Sequence, residues 1–83
     1  MFSKELFGQR VAASRQLNHE TQKAVGDAIG MSSNNVSEME NGKKTTTSEK
    51  IAKICRHYHV SADYLLGLSD DPAGGREKWE EEP

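Results

Sequence analysis

Apolar side chains recur along this chain at spacings of three and four residues, and no stretch shows the two-residue alternation of a strand. In the first segment Phe7, Val11 and Ser14 share a face, with Leu6, Ala13 and Leu17 beside it. Ser3 is a natural N-cap, so the pattern predicts a helix from there to about Gln16. Thr21 can cap a second helix, in which Gln22, Val25, Gly26 and Ile29 follow an i, i+3, i+4, i+7 pattern that Gly30 ends. After a link of Gly30 and Met31, Ser32 caps a third helix with Val36 and Met39 facing inward, closed by the "NG" of 41–42. Thr47 or Ser48 starts a fourth with the cleanest stripe of all, Ile51, Ile54, Cys55 and Tyr58. Ser61 caps a fifth, "ADYLLG", stopped at Gly67. The expected fold is all-α, a compact five-helix domain over 1–68. Beyond it, 69–83 have the composition of a flexible acidic tail or linker.

The second and third helices are joined by a tight glycine-containing link, and the third offers polar side chains outward. That is the arrangement of a helix-turn-helix, in which one helix enters the DNA major groove and its partner holds the angle. The stretch "GMSSNNVSEMENGKK" carries the candidate chemistry. Ser and Asn side chains, a glycine turn and two lysines suit a nucleic acid, whereas Glu38 and Glu40 place negative charge where a polyanion repels it. Read alone, "SSNN" is also an ordinary helix start, because Ser and Asn are favoured caps anywhere.

With "TQKAVGDAIGMSSNNVSEMENGKK" followed by "TSEKIAKICRHYHVSADYLLG", the chain resembles the lambda-repressor-like (Cro and phage repressor, XRE) helix-turn-helix family. The similarity covers about residues 5–68, with Thr21-Gln22, Gly30, Val36, the "ENG" of 40–42 and "VSADYLLG" all in register. The resemblance implies base contacts from Ser33, Asn34 and Asn35, the last two with amides that can bond adenine N6 and N7 together. It implies phosphate contacts from Gln22, Asn41, Lys43 and Lys44, which position the domain without reading sequence. The two glutamates separate on the same grounds. Glu40 matches a family glutamate in a partly buried ion pair with an arginine of helix one, here Arg15. Glu38 lies one turn beyond Asn34 and faces the groove, where a carboxylate can accept from cytosine N4; the plainer alternative is a pair with a lysine. Four positions depart from the family: Ser14 replaces a leucine, Glu20 an apolar residue, Gly26 an alanine and His59 a glycine. Leu17 is expected to fill part of the space beside Ser14.

Charge alters this picture only when divided along the chain. The total is −2, but residues 1–56 hold nine Lys/Arg against six Asp/Glu, and the acidity is concentrated after residue 57. A polyanion meets the local patch, not the total. The single cysteine, Cys55, excludes an internal disulfide and fits a reducing cytoplasm. "CRHYH" invites a zinc reading, but on a helix His57 points about 160° away from Cys55 and His59, and Cys55 lies on the apolar stripe. No metal or cofactor is expected. No apolar run approaches the roughly 20 residues of a membrane span, and no phosphate loop, nucleophile elbow or catalytic His/Asp arrangement points to an enzyme. The expected function is that of a transcriptional regulator, a phage or prophage repressor bound as a homodimer to palindromic double-stranded operator DNA. The surplus leucines among Leu65, Leu66 and Leu68 suit the dimer. The alternative is a protein-interaction module on the same scaffold, an antitoxin or antirepressor, using the tail around Trp79. The end, "DDPAGGREKWEEEP", reads as the start of a linker.

Overall fold

A hydroxyl side chain opens every helix. In the computed structural model, which describes residues 2–73, Ser3, Thr21, Ser32, Thr47 and Ser61 each accept a hydrogen bond from the backbone N–H three residues on. Such a cap satisfies a donor the helix cannot, and contributes about 1 kcal/mol. The helices are α1 (Lys4–Leu17), α2 (Gln22–Ile29), α3 (Ser33–Glu40), α4 (Ser48–Tyr58) and α5 (Ala62–Leu66). Among the described residues there is no strand, and no helix is long and apolar enough to cross a membrane. Thr47, not Ser48, is the cap of α4.

The apolar faces converge on one core of Phe7, Val11, Val25, Ile29, Val36, Met39, Ile54, Tyr58 and Leu65. α3 packs against both α1 and α2, and α5 and α4 close the far side of α1. Two glycines let α3 come this close. An added Cβ on Gly8 would fall 2.7 Å from the Glu40 carbonyl oxygen and closer still to that of Met39. A Cβ on Gly26 would press into the Met31 carbonyl. The C-terminal end of α3 is therefore seated against the backbone of α1, and the link that leads into it against the backbone of α2.

The expectation for Leu17 is corrected. Leu17 fills no gap; it is 80% exposed. The Ser14 hydroxyl donates to the Arg10 carbonyl of its own helix at 2.9 Å and is buried without help from Leu17. Leu65 is fully buried and Leu66 half-buried, which leaves Leu68 as the exposed leucine of this segment. The chain also stays attached beyond residue 68. Arg10 donates to the carbonyls of Tyr64 and Ser69 and to Asp70, with its guanidinium 4.3 Å from the Tyr64 ring centre. The Ser61 N–H bonds the Pro72 carbonyl at 2.8 Å. Trp79 lies outside the described residues.

Candidate nucleic-acid interface

The link between α2 and α3 turns on Gly30, in the left-handed region at φ +83°. It delivers Ser32 as the cap of α3, so Ser33, Asn34 and Asn35 stand on the exposed first turn of that helix. Glu38 follows one turn along, half-buried. The far end is rolled up by Gly42 at φ +77°: its N–H bonds the Met39 carbonyl at 3.1 Å and the Lys43 N–H bonds that of Glu38 at 2.9 Å. This paired closure satisfies carbonyls that the helix leaves free, and it sends the chain back alongside α3. Asn41, Lys43 and Lys44 are exposed there. An open groove runs from this face toward the start of α4, lined by Met31, Ser32, Asn35, Lys44, Thr46 and Lys50 among others.

The two glutamates have different surroundings. Glu40 is buried and held in a two-pronged pair by Arg15, with Nε to Oε2 at 2.8 Å and Nη2 to Oε1 at 3.0 Å. These bonds drive the guanidinium further above its already high ordinary pKa. Leaving either charge of such a buried pair alone costs about 3–5 kcal/mol. Gln22 donates Nε2–H to the same Glu40 oxygen at 3.0 Å. An amide nitrogen carries two hydrogens, and this bond uses one of them. Glu38, by contrast, meets Lys44, Nζ to Oε1 at 2.9 Å, and Lys44 also donates to Asn35 Oδ1 at 3.2 Å. Both carboxylates near α3 therefore have cationic partners, one inside and one at the surface.

Sequence reasoning missed how far the bracing extends. Arg15 Nη1 donates to the Glu20 carbonyl at 2.9 Å. The Glu20 carboxylate accepts from the Tyr58 hydroxyl at 2.9 Å, and both its oxygens lie 3.0 Å from His57 Nε2. Partial burial works to raise the Glu20 carboxyl, but the bonds from His57 and Tyr58 and the His57 charge outweigh it and hold it below its ordinary value. Burial, then the bond to Glu20, pushes the Tyr58 phenol well above its own. Residue 20 thus joins α4, through its side chain, to Arg15, through its backbone carbonyl, and so to the end of α3. Its unusual identity was the one signal available beforehand.

The "CRHYH" side chains serve separate purposes. His57 bonds Glu20, His59 caps α4 at φ +58°, and Cys55 packs half-buried on the core, its thiol pushed up by burial. Among the described residues no three His, Cys, Asp or Glu side chains are grouped to hold a metal ion.

A family model described as helix-turn-helix matches residues 11–65. Two curated proteins of Bacillus subtilis strain 168 are similar: the uncharacterized HTH-type transcriptional regulator YobD, 31% identical over 67 residues, and the HTH-type transcriptional regulator ImmR, 33% identical over 63. The matches cover 81% and 76% of this chain but 60% and 50% of those proteins, so it spans little more than half of their length. Among solved structures, the P22 c2 repressor in complex with synthetic operator 9T superposes with a TM-score of 0.72 at 27% identity, over 76% of this chain and 96% of that one. The clp gene regulator ClgR from Corynebacterium glutamicum gives 0.69 at 26% identity, over 80% and 86%.

Proposed function

The chain belongs to the helix-turn-helix family in its lambda-repressor-like (XRE) form, and from that premise we propose that it is a sequence-specific regulator of transcription that binds double-stranded operator DNA. α3 enters the major groove. Ser33, Asn34, Asn35 and Glu38 meet base edges, while Gln22, Asn41, Lys43 and Lys44 bind phosphates. Two copies related by a two-fold axis place their α3 helices about 34 Å apart on a palindrome. Occupying such a site blocks polymerase, the action of a phage or prophage repressor, and the likeness to the P22 c2 repressor favours that form.

The observation that carries this reading is the way α3 is presented. Its inner face and its last residue are locked by Gly8, Gly26, Arg15 and Gln22, while its first turn is left exposed and polar. A helix braced this firmly yet uncovered on its polar side is built to enter a groove without reorganising. Selection from a random duplex library, followed by titration against scrambled DNA near physiological salt, tests it. A palindromic winner bound roughly a thousandfold or more above scrambled DNA is expected. Binding without sequence preference that disappears at moderate salt would overturn it and direct attention to a protein partner.

A further inference from the structure

Lys44 stands among the phosphate contacts above, yet its ammonium lies on the face of α3 that meets bases. We infer that Lys44 acts as a positioning residue that fixes which hydrogen-bonding group Asn35 presents to the groove, and so sets base preference there. The inference rests on the DNA-reading function proposed above.

An ammonium only donates, so the Asn35 atom facing Lys44 Nζ at 3.2 Å must be the carbonyl oxygen. Lys44 is itself anchored by Glu38 Oε1 at 2.9 Å, one helical turn from Asn35. The closure of α3 on Gly42, with the Lys43 N–H on the Glu38 carbonyl, aims residue 44 back along that face. With its oxygen turned toward Lys44, Asn35 directs its Nδ2–H donors away from the lysine. An Asn amide bonds adenine by presenting oxygen and nitrogen to the base together, and an oxygen held toward Lys44 opposes that pose. The donors favour acceptor edges, guanine N7 and O6 or thymine O4, over the cytosine amino group. The Glu38–Lys44 pair is half-exposed and adds little stability of its own. Its consequence is orientation, together with neutralising a carboxylate on the face that meets bases.

The test compares wild type with Lys44→Met, Lys44→Arg and Lys43→Ala in library selection, with Asn35→Ala locating the base pair under Asn35. Wild type selects guanine or thymine there. Lys44→Met frees the amide to turn, and adenine gains about tenfold against them. Lys44→Arg, which keeps a donor, retains the wild-type choice, and Lys43→Ala weakens all sequences alike. Because Lys44 is exposed, Lys44→Met should fold, which its circular dichroism checks. In the free protein the same variant shifts the Asn35 side-chain amide resonances. Unchanged resonances, adenine already chosen by wild type, or a uniform loss like that of Lys43→Ala would each overturn the inference while leaving the DNA-reading function standing. Wild type selecting no sequence at all would overturn both.

Discussion

Glu20 shows what a single polar substitution does when its partners are within reach. A carboxylate before α2 would be costly there if unpartnered, but His57 and Tyr58 supply it with two side-chain partners, while Arg15 of α1 holds the backbone carbonyl of the same residue. Because its folded-state pKa lies below the ordinary value, its contribution to stability is present above the unfolded value of about 4.3 and is lost as pH falls through the folded one. Glu20→Gln is therefore expected to be less stable than wild type at pH 7, with the gap narrowing as the pH is lowered to 3. Urea midpoints at the two pH values measure the difference, and a gap that stays constant would show that the charge is irrelevant. His59, like His19 at φ +56°, is a residue whose identity works against its backbone conformation. It takes the left-handed φ of +58° where glycine is at ease. His59→Gly relieves a strain of about 1–2 kcal/mol but gives the unfolded chain more freedom, so a net gain of about 1 kcal/mol is expected. For a domain this small, that raises Tm by about 4–8 °C.

At the scale of elements, the position of α3 is decided by the absence of two side chains. Alanine at Gly8 or Gly26 gains up to about 1 kcal/mol in helix propensity. Against that, its Cβ strikes backbone carbonyls, which unlike a flexible side chain cannot swing away. The clash wins, and each substitution is expected to cost about 1–3 kcal/mol, read by thermal melting. DNA affinity should fall further than the melting curve alone accounts for, since α3 must tilt to make room. In the sequence Gly26 stood out as a departure from the alanine that the family resemblance implies, and nothing marked Gly8, which lies within an otherwise ordinary helical pattern. The helices themselves were legible because hydroxyl caps and three-four spacing are local signals: each N-cap stands where the residues place it, with Thr47 settled over Ser48. The exposed polar turn of α3 was legible for the same reason. The contacts that orient it were not. Lys44 reaches Asn35 only through the backbone path at Gly42, and Arg10 reaches Asp70 across sixty residues. Such pairings depend on tertiary geometry that spacing does not encode. The error at Leu17 is of the same kind: periodicity placed it beside the core, but Ser14 is buried without it.

For the whole molecule, the net charge of −2 matters less than where its members sit. Asp70 is engaged by Arg10 and Glu38 by Lys44, while Lys43 stands exposed beside the end of α3. Affinity for duplex DNA falls with salt by a slope of about 0.9 for each phosphate neutralised, so a lysine that releases counterions can be counted. Lys43→Ala should weaken every sequence by the same factor and flatten the slope without changing the preferred bases. The size of the flattening also counts protomers. A single copy on DNA loses about 0.9 from the slope, whereas two copies on a palindrome lose one contact each, about 1.8 together. Titrations at four or five salt concentrations on the selected site distinguish the two values. The larger would establish that the complex carries a pair of α3 helices, and would make exposed Leu68 and half-buried Leu66 the first places to seek the contact between them. The smaller would mean that one copy reads its site alone, and that any palindrome selected arises from two independent binding events. An unchanged slope would remove Lys43 from the phosphate contacts altogether and leave the backbone held by Gln22, Asn41 and the groove beside Lys50.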